Sequence, residues 1–303
     1  MSHKILITGG SGLVGTQLTQ LLLSKGYAVA HIGRSSRAGR LPSVIWDVEN
    51  GKFDLQALQG VDTIVHLAGA GVADKRWTEK RKKEILDSRI QSTELLWKVL
   101  KEGNHSVKAV VSASAIGYYG FGMGEEIVDE ESKPGTDFLA QVTKLWEQES
   151  DKISALGIRV VKIRIGIVLS DKGGALVEMA KPIRLGIGAA LGTGKQYMSW
   201  IHLDDLCEMF ARAVNDSQMV GAYNAVAPGW VTNAELTKAI ARILKMPLLL
   251  PPIPAFMMKI IVGEMAVIIL NGSKVSSTKI QQLGFKFKYL SLDEALTNLL
   301  TKD

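Results

Sequence analysis

The sequence of 303 residues contains a single cysteine, Cys207, and this scarcity excludes an internal disulfide framework and a metal site built from several cysteines. One thiol fits a reducing compartment, so we expect a cytoplasmic protein. Its surroundings, Asp205-Leu206-Cys207-Glu208-Met209, predict a helix in which the thiol is a small buried apolar group and not a nucleophile.

Long apolar runs and grouped metal ligands are also lacking. The most apolar late stretch, 247–270, is interrupted by prolines, Lys259 and Glu264, so we expect no membrane span and no membrane partner. Residues 1–4 lead directly into an apolar strand, and we expect no signal peptide. The five histidines are dispersed along the chain, which predicts no metal site.

Aromatic side chains are scarce where the chain is most basic. The net charge is +6, and the positive charge is concentrated in residues 74–83, DKRWTEKRKK. Trp77 is the only aromatic residue there, and the run matches no recognised nucleic-acid motif. We therefore interpret it as a solvated helix face beside an anionic cofactor and expect no nucleic-acid partner.

Glycine, by contrast, is abundant, and its arrangement in residues 5–15, ILITGGSGLVG, is the most informative feature of the chain. Gly9, Gly12 and Gly15 meet the three needs of a dinucleotide site: a tight turn, backbone approach to a pyrophosphate and close helix–strand packing. The N–H groups of the first helical turn, which begins at Leu13 and Val14, then face the anion. A bare glycine-rich turn is the alternative, but the position between a strand and a helix favours a dinucleotide.

Strands and helices alternate through the first half of the chain. Strands are predicted at 4–7, 27–32, 44–46, 63–67, 108–112 and 159–165, and the longer helices at 79–101 and 138–156. This repetition predicts an α/β fold with a doubly wound parallel sheet that is covered on both faces. Ligands of such sheets bind beyond the carboxyl ends of the strands, where the strand order switches.

The character of the sequence changes after residue 169. A loop-rich, glycine-broken section is followed by a helix from about residue 204 to 214, and the remainder holds prolines and two or three helices. We divide the chain into a nucleotide-binding domain of residues 1–170, to which 200–222 return, and a smaller, mostly helical substrate lobe of residues 171–199 and 223–303.

The end of the second strand indicates which dinucleotide binds. An NAD site usually places a carboxylate there, whereas this chain reads Gly33-Arg34-Ser35-Ser36-Arg37. A guanidinium group is a planar fork suited to phosphate, so we predict NADP(H) with Arg34 on the 2′-phosphate. The alternative is that Arg34 is a solvated loop residue. Asp47, which closes the third strand, is placed to accept a hydrogen bond from the adenine amino group.

These motifs resemble the extended short-chain dehydrogenase/reductase superfamily. Residues 8–15, TGGSGLVG, match its TGxxGxxG signature, and 66–69, HLAG, and 200–206, WIHLDDL, are similar to two further motifs. The segments 112–120, 164–176 and 192–200 resemble more narrowly its atypical "epimerase family" branch, which is nucleoside-diphosphate-sugar-epimerase-like. Residues 263–285 resemble the small C-terminal domain of unknown function of that branch.

The resemblance implies an NAD(P)-binding Rossmann fold, a small-molecule substrate and a set of cofactor contacts. In relatives the helix after the fourth strand approaches the cofactor, and we carry this over to Glu84 and Arg89, whose alternative is a surface pair of helix charges. Relatives also pair the helices at 79–101 and from Phe138 in a four-helix interface, which makes a homodimer one expected assembly. The predicted cofactor-binding residues are Gly9, Gly12, Leu13, Val14, Gly15, Gly33, Arg34, Asp47, Leu67, Ala68, Gly69, Glu84 and Arg89.

The catalytic residues of the superfamily are matched only in part. Ser114 matches the serine that hydrogen-bonds the reacting oxygen, but the helix 137–147 lacks the tyrosine and lysine that move the proton. When that helix is aligned on Glu147, Leu139 and Thr143 take the two positions. A shift by one residue gives Ala140 and Lys144, still without a tyrosine.

Tyr118 follows Ser114 on the same rim and is our candidate for the missing acid, with a packing role as its alternative. Two functions remain open. The first is an NADP(H)-dependent oxidoreductase or isomerase that acts on a small polar substrate, sugar-nucleotide-like or carbonyl. The second is a non-catalytic NADP(H)-binding or redox-sensing protein. Nucleotide-sugar 4-epimerisation proper is disfavoured by the missing tyrosine and lysine.

Overall fold

A central sheet of seven parallel strands with one short antiparallel edge strand organises the protein. The structure is a computed structural model that describes residues 3–34, 41–121 and 124–301. Its strands are β1 (Lys4–Thr8), β2 (Ala28–Gly33), β3 (Ser43–Asp47), β4 (Lys52–Phe53), β5 (Thr63–His66), β6 (Ala109–Ala115), β7 (Ile127–Val128), β8 (Arg159–Ile165), β9 (Ile167–Leu169), β10 (Trp200–His202), β11 (Gly221–Ala225) and β12 (Lys274–Val275).

Helices cover both faces of the sheet or build the lobe beside it. They are α1 (Leu13–Ser24), α2 (Glu79–Glu102), α3 (Phe138–Ser154), α4 (Ala175–Arg184), α5 (Leu203–Asn215), α6 (Asn233–Ile243), α7 (Ala255–Val262), α8 (Ala266–Leu270), α9 (Thr278–Gln282) and α10 (Leu292–Leu300).

The strand order of the sheet is β11-β8-β6-β5-β1-β2-β3-β4, so the order reverses between β1 and β5. This arrangement confirms the predicted α/β fold with a doubly wound parallel sheet. Successive residues of β1 point to opposite faces. Ile5 and Ile7 join the core under α1 and α5, while Leu6 joins the core under α2. A strand that is buried on both sides must be apolar throughout, which is why this run was recognisable.

The section predicted to be loop-rich contains α4, and the described residues after 223 form five helices, α6 to α10, where two or three were predicted. The helices and strands predicted for residues 4–165 lie close to the observed ones, with one informative exception. β6 was predicted to end at residue 112 but continues to Ala115. Ser112, Ala113 and Ser114 have low strand propensity, yet they are buried, and backbone pairing with β8 holds all three extended, although β5 pairs only as far as Ser112. The rim of the sheet therefore lies farther along the chain than predicted.

The lobe has its own core, formed by α4, α6 and α10. Its predicted start at residue 223 falls inside β11, so residues 223–225 belong to the sheet. The C-terminal segment also contacts both parts, because Ile280, Phe285 and Phe287 pack into the core under α1 and α5.

Three expectations concern single features of the chain. Cys207 is buried in α5, as predicted, and burial raises the pKa of its thiol. No helix in the described part of the chain is long and apolar enough to cross a bilayer. Nor do three or more His, Cys, Asp or Glu side chains of that part come together as metal ligands would.

Candidate functional site

The loops that follow β1 and β5 meet where the strand order reverses, the place at which doubly wound sheets bind ligands. Gly9 makes this contact possible. Its φ of +68° is a conformation that favours glycine, and a Cβ atom there would lie 2.9 Å from the carbonyl carbon of Leu67. The two loops can approach this closely only because residue 9 has no side chain.

The other two motif glycines differ in what surrounds them. A Cβ on Gly15 would collide with the carbonyl oxygen of Gly9 and lie 2.7 Å from the Cα of Gly10, so Gly15 is required for packing. A Cβ on Gly12 would meet only the oxygen of Gly9, at 3.4 Å. Gly12 therefore borders open space at the start of α1, where a bound group can approach the backbone.

Helix α1 begins beside an exposed residue, Gly12. Gly12 is the N-cap residue, and within the described residues no side chain caps the helix. The N–H groups of the first turn belong to Leu13, Val14 and Gly15, and they carry the positive end of the helix dipole. An anion placed beside Gly12 would accept hydrogen bonds from them.

A buried histidine fixes the base of this site. Thr8 Oγ1 accepts the N–H groups of Leu67 and Ala68, each at 3.1 Å, and donates to His66 Nδ1 at 2.7 Å. His66 Nε2 then donates to Thr93 Oγ1 of α2 at 3.1 Å. Burial lowers the pKa of His66 to about 3, so the ring is neutral and holds the loop after β5 against β1.

Arg34 lies exposed directly after β2, which is compatible with both of its interpretations, while Arg37 lies outside the described residues. The positive charge of Arg34 acts on Glu84 of α2: an ion pair with Arg81, at 2.7 Å, holds the pKa of Glu84 below its usual value, and Lys75 and Arg34 lower it further. Arg34 and Lys75 thus lie near Glu84, whereas Arg81 is buried and paired with Glu84 and Asp74.

Three other predicted cofactor residues have partners within the protein. Both carboxylate oxygens of Asp47 accept hydrogen bonds from Asn50, at 3.2 Å and 2.7 Å, and these bonds lower its pKa. Arg89 donates to the carbonyl of Ala70 at 3.0 Å and lies against Gly69. Burial lowers the pKa of Arg89 to about 10, with a smaller effect from Arg81. Glu84 is an exposed helix charge, as its alternative describes, whereas Arg89 is half-buried and bonded to backbone carbonyl groups.

The end of β6 carries a buried polar network. Ser114 is 3% exposed, and its hydroxyl donates to Glu147 Oε1 of α3 at 2.6 Å. Arg164 of β8 donates to both oxygens of Glu147, at 2.8 Å and 2.9 Å. In this structure the hydroxyl proton of Ser114 is therefore directed into the protein.

Two neighbouring tyrosines, Tyr118 and Tyr119, differ in whether the protein hydrogen-bonds their hydroxyl groups. The hydroxyl of Tyr119 donates to Asn224 Oδ1 at 2.6 Å and accepts from Arg164 at 3.0 Å, and burial raises its pKa. Tyr118 is half-buried, and its ring lies 3.6 Å beneath the guanidinium of Arg164. Among the described residues nothing hydrogen-bonds the Tyr118 hydroxyl, so it is the tyrosine that remains available to a ligand.

The face of α3 that meets this turn is the one aligned on Glu147. A Cβ on Gly117 would lie 3.5 Å from Leu139 Cβ and 3.7 Å from Thr143 Oγ1. Lys144 is exposed on another face, which removes the alternative register from the site. Leu139 joins an apolar cluster that fills this side of the rim; the other members are Val72, Trp77, Ile85, Leu86, Phe138, Val142, Met265, Val267 and Ile268.

The sequence alone did not assign Arg164, Tyr119 and Asn224 to this network. A signal was present, because Arg164 lies within a strand predicted to be buried on both faces. A guanidinium group in such a strand requires a buried partner. The sequence did not identify that partner, since Glu147 lies 17 residues away on another element.

Known proteins are similar to this chain over most of its length. A family model described as the NAD dependent epimerase/dehydratase family matches residues 5–226, and one for a domain of unknown function, DUF1731, matches residues 253–299. The second match confirms the predicted C-terminal domain. Epimerase family protein YfhF of Bacillus subtilis is 35% identical over 300 residues, with 98% of each chain covered.

Two solved structures are also similar over nearly the whole chain. The human epimerase family protein SDR39U1, crystallised with NADPH, has a TM-score of 0.86 and 31% identity over 98% of both chains. A nucleoside-diphosphate sugar epimerase from Corynebacterium glutamicum has a TM-score of 0.82 and 32% identity over 99% of this chain and 58% of that one. The predicted NAD(P)-binding Rossmann fold is thereby confirmed.

Proposed function

This chain belongs to the NAD dependent epimerase/dehydratase family, and from that premise we propose that it binds NADP(H) and uses it to oxidise, reduce or isomerise a small polar substrate. The observation that carries the proposal is the uncapped start of α1 beside Gly12. Open space at that residue and three N–H groups without a side-chain cap suit a pyrophosphate.

The choice of NADP(H) over NAD(H) rests on the end of β2. Gly33 is followed by Arg34 and not by a carboxylate, and Arg34 is exposed at the crevice. A carboxylate there would bind a ribose 2′-OH, whereas a guanidinium group favours a 2′-phosphate. The human relative that was crystallised with NADPH supports the same choice.

The chemistry proposed for the site depends on Tyr118. The bound nicotinamide would supply or accept a hydride at a substrate carbon, and a proton must then move at the substrate oxygen. No group in the described part of the chain hydrogen-bonds the Tyr118 hydroxyl, and Arg164 holds the Tyr118 ring in place. We assign proton transfer to Tyr118. Ser114 could contact the substrate oxygen only after its bond to Glu147 is exchanged.

A second candidate function is favoured by one observation. Leu139 and Thr143 occupy the α3 positions nearest the Gly117 turn, where the superfamily places its tyrosine and lysine. A protein that holds NADP(H) without turnover would need neither residue. Oxidation of NADPH by a panel of carbonyl compounds separates the two functions. Turnover that is lost in Tyr118→Phe supports the enzyme, and tight binding without any turnover supports the alternative.

Calorimetric titration tests the cofactor assignment without a known substrate. We expect NADPH to bind at least about tenfold more tightly than NADH, because an Arg–phosphate pair is charge-assisted. Arg34→Ala should remove most of this preference and leave NADH binding unchanged. Arg184→Ala, another exposed arginine, serves as the control. Equal affinities in the unmodified protein, or an unchanged preference in Arg34→Ala, would refute the assignment.

A further inference from the structure

Helix α7 and the residues before it expose an unusual amount of apolar surface. Of the eight residues of α7, only Met258 is buried. The exposed fraction is 64% for Phe256 and 70% for Ile260. The exposed large apolar side chains of this segment are Leu249, Leu250, Phe256, Met257, Ile260 and Ile261, which we call the α7 patch.

The fold holds α7 through its backbone and leaves these side chains outside. Arg76, on the loop between β5 and α2, donates to the carbonyl oxygen of Ile260 at 3.0 Å. The same guanidinium lies against Gly263, the residue that ends α7. Packing within the protein therefore does not account for an apolar face that points to solvent, and patches of this kind mark contact surfaces.

The segment that carries the α7 patch is charged with one sign only. Residues 245–262 contain Lys245 and Lys259 but no aspartate or glutamate. Arg76 adds a third cation at the edge. The nearby carboxylate of Glu264 is paired with Lys82. The patch is thus an apolar surface with a cationic border.

The apolar surface and its cationic border distinguish between two possible binding partners of the α7 patch. A second copy of the chain, docked about a two-fold axis, would bring Lys259 and Arg76 opposite the same cations of its partner. The patch itself contains no carboxylate, and that of Glu264 at its edge is already paired with Lys82, so self-association is disfavoured. An anionic lipid surface supplies both negative charge and an apolar layer.

We propose that the α7 patch binds the surface of an anionic phospholipid membrane. The helix has eight residues and is about 12 Å long, so it would lie in the interface between headgroups and acyl chains. Phe256 and Ile260 would enter the apolar layer, and Lys259 and Arg76 would meet the headgroups. This proposal revises the expectation, based on the sequence, that no membrane is a partner.

Co-sedimentation of the full chain with vesicles tests the proposal. We expect binding to vesicles of phosphatidylcholine with phosphatidylglycerol, weaker binding at high salt, and little binding to phosphatidylcholine alone. The double variant Phe256→Ser/Ile260→Ser should bind at least about tenfold more weakly. Lys259→Gln should lose about fivefold on the anionic vesicles only.

Val220→Ser is the matched control, because Val220 is also an exposed apolar residue but lies outside the patch. It should bind vesicles like the unmodified protein. Circular dichroism and the melting temperature establish that each variant is folded. Absence of binding to anionic vesicles, or unchanged binding by the double variant, would overturn the proposal. A dimer in light scattering that the double variant dissociates would instead assign the α7 patch to a second copy.

Discussion

The two halves of the rim are built on different principles. In the nucleotide half, formed by residues 9–15, 33–34 and 67–69, the groups offered to a ligand are mainly backbone N–H groups and the spaces beside glycines. The other half, to which we assign proton transfer and which we call the proton-transfer half, is formed by residues 114–119 and the facing side of α3. There, side chains must contact the substrate. The nucleotide half retains the three glycines of its motif. In the proton-transfer half, Leu139 and Thr143 stand where the superfamily has its tyrosine and lysine, and the hydroxyl of Ser114 points into the protein.

This difference indicates that nucleotide binding and proton transfer depend on separate sets of residues in this fold. Glu147 and Arg164 are 6% and 4% exposed and bind each other through two hydrogen bonds. Ser114 and Tyr119 complete their hydrogen bonding. The network therefore has a structural purpose that is independent of turnover. In the nucleotide half, Leu13, Val14 and Leu67 pack against the core, while the N–H groups at the start of α1 are left for a ligand.

The largest expected effect comes from removing the centre of the network. Glu147→Ala leaves the guanidinium of Arg164 buried without a counter-charge, and we expect the free energy of unfolding to fall by about 3–5 kcal/mol. Chemical denaturation measures this loss. Gln148→Ala, at an exposed position of the same helix, should change stability by less than about 0.5 kcal/mol. Similar losses in the two variants would show that the network does not stabilise the fold.

The second-largest expected effect is a loss of NADPH affinity without a loss of stability. Gly12→Glu places a side chain and a negative charge beside the start of α1, so NADPH affinity should fall more than about a hundredfold. The melting temperature should change little, because a Cβ at residue 12 meets open space. Gln20→Glu adds the same charge two turns later and should bind NADPH normally. Unaltered NADPH binding by Gly12→Glu would remove the nucleotide half from the site.

Acidification should weaken the base of the nucleotide half. A histidine in an unfolded chain has a pKa near 6.5, whereas burial lowers that of His66 to about 3. Between these values the unfolded chain binds the extra proton. The contribution of His66 to stability is therefore complete above about pH 6.5 and is lost as the pH falls towards 3.

From pH 7 to pH 5 this contribution should decrease by about 2 kcal/mol. Denaturation of the unmodified protein and of His66→Gln at several pH values measures it as the difference between the two slopes. Parallel slopes would mean that the folded protein does not hold His66 in the neutral form.

The nucleotide half was predictable because its signal is local. Gly9, Gly12 and Gly15 lie between an apolar strand and an amphipathic helix, and adjacent residues alone determine that geometry. The same holds for the fold, whose strands were recognised from short apolar runs. Even in this half, the sequence did not show that the carboxylate of Asp47 accepts a hydrogen bond from Asn50 in the turn after β3.

The proton-transfer half was less predictable because its contacts join distant parts of the chain. Ser114 and Glu147 are 33 residues apart, and Tyr119 and Asn224 are 105 apart. Residue type suggested that Ser114 contacts substrate, but only the packing of α3 on β6 shows where its proton points. The end of β6 was misplaced for a related reason, since pairing with the distant strand β8 overrides the low strand propensity of its small residues.

The smallest expected effect checks the register of α3, on which the contrast between the halves depends. Leu139, Thr143 and Glu147 are spaced by four residues and share one face, whereas Lys144 is exposed. Lys144→Ala should therefore change stability by less than about 0.5 kcal/mol and leave NADPH binding and any turnover intact. Thr143→Ala is the informative partner, because the hydroxyl of this buried residue donates to Leu139 within α3. If Lys144→Ala abolished NADPH-dependent turnover while Thr143→Ala did not, Lys144 would be the catalytic lysine and the proton-transfer half would be less altered than its packing indicates.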